Sequence, residues 1–104
     1  MADTRMVRLA ELEIDPDSLP TYLALLREEI ETSLAVEPGV LMLHAVQLKH
    51  EPQMVRLLEV YASLDAYQAH IQSPHFLKYK AGTAAMVRTL RLIDVDPVVM
   101  AAKT

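Results

Sequence analysis

The chain has 104 residues, no cysteine and a formal net charge of −4, and 52% of its residues are hydrophobic. This fits a single domain over residues 1–104, and it excludes a disulfide framework, a thiolate nucleophile and the basic surface that nucleic acid requires. Only two glycines occur, Gly39 and Gly82, so no glycine-rich loop can cradle the phosphates of a nucleotide.

In chain order, Arg5 to Ile14 is compatible with a strand, which Asp15-Pro16-Asp17 stops. Ser18 then reads as an N-cap and Pro20 as a first-turn proline. The helix they open carries Leu23, Leu26, Ile30 and Leu34 at helical spacing, with Arg27 and Glu31 paired at i, i+4 on the wet side. Glu37-Pro38-Gly39 ends it, because proline cannot continue a helix and glycine allows a reversal. Val40 to Leu48 and Met54 to Ala62 read as strands joined by a hairpin loop over Lys49 to Gln53.

In the first of these strands Val40, Met42, Val46 and Leu48 fill one face, and Leu41, Leu43 and Ala45 fill the other. A strand apolar on both faces must be covered on both. Helices cover one side, and a second copy of the chain is the expected cover for the other, which predicts a homodimer. Ser63 caps a short helix carrying Leu64, Tyr67, His70 and Ile71. Ser73-Pro74 restarts a second, with Phe76, Tyr79, Thr83 and Met86 along one stripe, and Arg88 to Val95 closes as a strand. The order predicts an α+β, ferredoxin-like β-α-β-β-α-β fold with a broken second helix. The N-terminal residues Met1 to Arg5 lack the basic-then-apolar order of a signal peptide, and the longest apolar run, Val40 to Leu43, is far short of a membrane span. A cytoplasmic protein with no membrane partner is the expectation.

Four side chains invite a chemical reading. His75 falls in the first turn after Ser73-Pro74, where unpaired N–H groups and the positive dipole end favour a neutral ring that can accept a hydrogen bond or a proton. His70 shares a helical face with Leu64, Tyr67 and Ile71, so it points inward, the usual position of a core histidine. Glu59 and Tyr61 share a strand face with Val55 and Leu57. Tyr61 can thus floor a pocket, while a buried Glu59 needs a partner such as Arg8 or Arg91. No metal is expected at the two histidines, because their i, i+5 spacing crosses a proline and no acidic residue lies between them.

Glu37-Pro38-Gly39 before an apolar strand, Glu59-Val60-Tyr61, and Ala66 to His70 followed by Ser73-Pro74-His75-Phe76 together resemble the antibiotic biosynthesis monooxygenase family. The resemblance implies a dimeric α/β barrel with a pocket between each sheet and its helices. It also implies a cofactor-free oxygenase that oxidises a small phenolic or quinol compound with molecular oxygen. His75, His70 and Tyr61 would be its catalytic residues, and Tyr67, Phe76, Tyr79 and Glu59 would bind the substrate. Two alternatives remain: an isomerase resembling the family's phosphorylated-sugar branch, with Lys78, Lys80 and Arg88 at the pocket mouth, and a non-catalytic ligand-binding or stress-response dimer. The family's haem-degrading branch fits poorly, since Leu12, Tyr61 and Lys80 stand where it carries asparagine, tryptophan and the haem-ligating histidine.

Overall fold

The computed structural model describes residues 3–103. Met1 and Ala2, the start of the stretch weighed as a leader, and Thr104 lie outside them. The elements are β1 (Met6–Ile14), a 3-10 turn (Pro16–Ser18), α1 (Leu19–Val36), β2 (Val40–Leu48), β3 (Glu51–Tyr61), α2 (Leu64–His70), α3 (Pro74–Thr83) and β4 (Val87–Val95). Their order is the predicted β-α-β-β-α-β, with the second helix broken between His70 and Pro74. The strands form one antiparallel sheet in the order β2-β3-β1-β4. Among the described residues, no helix is long and apolar enough to cross a membrane.

One correction concerns closure. The sheet is open, because β2 and β4 each have a single neighbour, and the α/β barrel implied by the resemblance is not formed. Four strands are too few to close on themselves, since about eight are needed to enclose even a side-chain-filled interior. The two-faced apolar pattern of β2, which suggested a second copy of the chain as cover, partly reflects a bulge. Val40 pairs with Tyr61 and Met42 with Val60, leaving Leu41 as the extra residue. Val40 and Leu43 are therefore both buried under the helices, while Leu41 and Val46 are exposed. A strict period of two cannot anticipate that inversion.

One face of the sheet carries the helices. Tyr22 and Leu26 of α1 pack on Ala10, Leu12 and Ile14 of β1 and on Val55 and Leu57 of β3. A smaller cluster of Val40, Leu43 and Tyr61 lies under Ala66 and Tyr67 of α2. Ser63 and Ser73 cap their helices as expected, accepting the N–H groups of Ala66 (3.1 Å) and Phe76 (3.3 Å). Ser18 makes no side-chain cap. The 3-10 turn precedes α1, and it is Asp15 that caps this turn by accepting the N–H of Asp17 at 3.1 Å. The hairpin turn is only Lys49-His50, and Pro52 lies inside β3. Proline is tolerated there because β1 pairs with β3 only from Met54 onward, so Pro52 owes that side no hydrogen bond.

Gly39 is needed for a different reason from the expected one. No glycine in the chain takes a positive φ. A Cβ at position 39 would instead sit 2.6 Å from the Cβ of Ala66, so glycine is what lets α2 lie against the start of β2. Gly39→Ala is expected to cost about 1–3 kcal/mol through overpacking. Adding Ala66→Gly should return most of the loss. Urea denaturation of the three proteins checks this, and an unchanged midpoint for Gly39→Ala would contradict the close-approach reading.

Candidate functional site

The helices cover β1, β3 and the start of β2 but leave the inner side of the edge strand β4 bare. A cavity of about 700 Å³ results between sheet and helices. Leu90 and Leu92 of β4 line it while remaining 49% exposed, so it opens at that edge. Leu12, Leu26, Leu57 and Phe76 supply further apolar wall, and Lys80 and Arg88 also line the cavity. Lys78 does not, as it pairs on the surface with Glu28 at 2.5 Å.

The polar side chains gather at one end. Alternation along β3 turns Val55, Leu57, Glu59 and Tyr61 toward the helices, as the sequence implied. The Tyr61 hydroxyl donates to Oε1 of Glu59 at 2.5 Å. Arg8 stands opposite Glu59 in the β1–β3 register, yet its guanidinium goes elsewhere. It pairs with Asp94 at 2.9 Å, donates to the Tyr67 hydroxyl at 2.6 Å and lies 4.6 Å over the Tyr67 ring. Burial pushes the Glu59 carboxyl above its ordinary value, and the Tyr61 hydrogen bond with the charges of His70 and Arg8 offsets this only in part. Burial, then the charge and hydrogen bond of Glu59, push the Tyr61 hydroxyl far up, so it stays a neutral donor.

Behind this end lies a chain of acids and imidazoles. His70, at the end of α2, is 2% exposed. Its Nδ1 is 2.8 Å from Oε2 of Glu37, and its Nε2 is 3.2 Å from Oε1 of Glu29. Ser33 donates to the same Glu29 oxygen at 2.9 Å. His75, in the first turn of α3, places Nε2 2.6 Å from the same Glu37 oxygen. For His70, burial alone disfavours the cation, but the hydrogen bonds and charges of Glu29 and Glu37 together outweigh it and raise the imidazole above its ordinary value. For Glu37, burial acts upward, and the two histidines outweigh it and hold the carboxyl below its ordinary value.

The structure thus brings Tyr61, Glu59, Tyr67, His70, Phe76 and Tyr79 to one cavity, and Tyr79 reaches further to the hydroxyl of Tyr22 at 2.6 Å. His75 is not among the lining residues, since its ring turns to Glu37 behind His70. Sequence reasoning missed Glu29 and Glu37, and saw Arg8 only as a partner for Glu59. A signal for Glu29 existed: with Ser33 it forms an i, i+4 polar pair on the same face as the buried Tyr22 and Leu26. Glu37 had none, being hidden in a motif read purely as a helix stop. Glu37, His70 and His75 each bring one ligand atom within 4.8 Å of the others, the place among the described residues where a metal ion would find donors.

The raised Glu59 carboxyl makes a stability prediction. Its folded value lies above the ordinary 4.5, so its contribution is intact below about that pH and is lost as pH rises through the folded value. Glu59→Gln keeps the hydrogen-bond acceptor for Tyr61 without the charge. The variant should gain thermal midpoint relative to the wild type as pH climbs from 4.5, then level off once the wild-type carboxyl is fully ionised. Paired melts across that range measure it, and a difference that does not change with pH would contradict a buried, raised carboxyl.

Comparison with known proteins agrees with this architecture. The model of a family described as antibiotic biosynthesis monooxygenase matches residues 5–82. A candidate antibiotic biosynthesis monooxygenase from Bacteroides thetaiotaomicron is 50% identical, covers 100% of this chain and 99% of its own, and superposes with a TM-score of 0.94. A protein of Mycobacterium tuberculosis is 24% identical over 95% of this chain and 100% of its own, with a TM-score of 0.83. A candidate antibiotic biosynthesis monooxygenase from Nitrosomonas europaea is 18% identical over 94% of each chain, with a TM-score of 0.86. These last two likenesses speak to the fold alone. No curated protein matches the chain. With a family model covering most of its length and a 50% identical relative spanning all of it, the chain belongs to the antibiotic biosynthesis monooxygenase family.

Proposed function

We propose that this protein is a cofactor-independent monooxygenase that oxidises a small phenolic or quinol compound with molecular oxygen inside the cavity under α1 and α3. The observation that carries the reading is the cavity's polarity: apolar walls suited to an aromatic ring lead to one end where Glu59, Tyr61, Tyr67, Arg8 and His70 converge. A ring held between Phe76, Tyr79 and the β4 leucines presents its hydroxyl to that end. Glu59, made more basic by burial, takes the phenolic proton. The Arg8 guanidinium and the His70 ring, whose imidazole the flanking carboxylates raise, stabilise the resulting phenolate, and the neutral Tyr61 hydroxyl orients it. Such a phenolate is rich enough in electrons to reduce oxygen directly, so the protein's task is to bind, deprotonate and exclude water. For a quinol the balance is one quinol and one oxygen molecule giving one hydroxylated quinone and one water.

His75 acts in this scheme through Glu37, whose carboxylate it shares with His70. A homodimer belongs to the same reading. Its support is the sheet face turned away from the helices, where Leu58, Leu9 and Ile93 form an apolar row across β3, β1 and β4 and Val46 of β2 is 60% exposed. Sedimentation at micromolar concentration should return twice the chain mass, and a well-folded monomer would overturn that part.

Oxygen uptake with a panel of hydroquinones under air tests the activity. The wild type should consume oxygen with at least one member, and Glu59→Gln should lose on the order of a hundredfold or more in turnover, the scale of a lost general base. Tyr61→Phe should lose less. Saturable binding of the panel without oxygen consumption would overturn the oxygenase and favour a ligand-binding protein.

A further inference from the structure

We propose that Glu37, His70 and His75 bind one first-row divalent cation, with zinc(II) the best match, at a site behind the His70 ring and outside the cavity. The three donors come from three helix ends: Glu37 is the C-cap of α1, His70 closes α2, and His75 lies in the first turn of α3. Nδ1 of His70 and Nε2 of His75 already converge on a single oxygen, Oε2 of Glu37, at 2.8 and 2.6 Å. All three ligand atoms lie within 4.8 Å of one another. Around tetrahedral zinc with bonds of about 2.0–2.1 Å, ligand atoms stand roughly 3.4 Å apart. Shifts of about 1 Å in two side chains therefore turn this hydrogen-bonded trio into a coordination shell.

Two further observations separate this cluster from a chance meeting of polar groups. The first is an outer shell. The ring nitrogen of His70 that points away from the trio, Nε2, faces Oε1 of Glu29 at 3.2 Å, and Ser33 holds that carboxylate at 2.9 Å. A carboxylate on the far nitrogen is the usual way a ligating imidazole is oriented and its tautomer chosen. The second is charge. Glu29 and Glu37 set two carboxyl groups against the two imidazole rings, an arrangement whose charge a dication complements. Donor chemistry narrows the ion. Two nitrogens and one carboxylate oxygen suit zinc and its neighbours, while magnesium and calcium prefer all-oxygen sites and no thiolate is present to select copper(I). Glu37 and His75 keep 15% and 13% side-chain exposure, which leaves a remaining coordination position to water. A bound cation would clasp the ends of α1, α2 and α3 together. The spacing of the two histidines spoke against a metal in the sequence because the acidic partner comes from another helix, 33 residues before His70.

Tag-free protein, stripped with a chelator and dialysed, is titrated calorimetrically with zinc(II), and in parallel with cobalt(II) while visible absorption is recorded. One equivalent per chain, intense low-coordinate cobalt bands and a zinc-dependent rise in thermal midpoint are expected. His75→Ala should weaken zinc binding by roughly a hundredfold or more, and Glu29→Gln, which leaves every ligand in place, by about 10–100-fold. The double variant His44→Ala/His50→Ala, on the exposed β2 and its turn, should bind as the wild type does. Should either ligand-cluster variant be poorly folded, zinc-induced shifts of the His70 and His75 imidazole resonances in the wild type decide the matter. No stoichiometric binding, binding that survives His75→Ala, or binding lost with His44 and His50 would each overturn the site.

Discussion

Two histidines share one glutamate oxygen, and that contact organises this molecule. Glu37 terminates α1, and the rings that reach it come from the end of α2 and the start of α3. A carboxylate half-buried at a helix C-terminus meets an unfavourable dipole and loses hydration, so it needs donors. The break that Ser73-Pro74 sets between α2 and α3 supplies them, since a chain that stops at His70 and restarts at Pro74 presents both imidazoles to the same atom. Glu29, bonded to Ser33 within α1, holds the other side of His70. The chain Glu29–His70–Glu37–His75 thus fixes three helix ends by charge and hydrogen bonds where the apolar core is thin, with Gly39 and Ala66 in contact beside it.

That arrangement shapes the cavity. The His70 ring stands 5.3 Å from Tyr61 and 5.1 Å from Phe76, so the same residue closes the acid–imidazole chain and forms part of the cavity wall. Its imidazole, raised above its ordinary value by the hydrogen bonds and charges of two carboxylates, faces a space that also contains the buried Glu59. Charges in a poorly hydrated space interact more strongly than in water, which is the condition the proposed phenolate requires. The open sheet contributes at the other end, where the uncovered inner side of β4 admits a ligand. Family membership supports a monooxygenase-like protein, and the cavity's graded polarity is what the proposed aromatic alcohol rests on.

Much of this was readable in the sequence. Serine caps at Ser63 and Ser73, the alternation that places Glu59 and Tyr61 on one face, and the strand–helix order all follow from local rules, which failed at Ser18, where Asp15 caps the preceding turn instead. What escaped was set by tertiary contacts or by one-residue irregularities. The bulge at Leu41 turned Val40 to the same face as Leu43, which no strict alternation reports, and the barrel implied by the resemblance gave way to an open sheet. Gly39 was read as a conformational hinge and is a packing gap. Glu37 was read as a helix terminator and is the hub of the cluster, because no pattern within one segment reports which distant rings will turn toward it. His75 illustrates the same limit, since its place in the first turn of α3 was correct and the direction of its ring depended on another helix.

The most direct test of the account is a crystal structure of the protein soaked anaerobically with a hydroquinone that it binds. The account predicts the ring between Phe76, Tyr79 and Leu92, with one hydroxyl in hydrogen-bond contact with Glu59 beside Tyr61 and His70. A ligand bound elsewhere, or one that enters the cavity with its hydroxyl turned out toward Lys80 and Arg88, would contradict it.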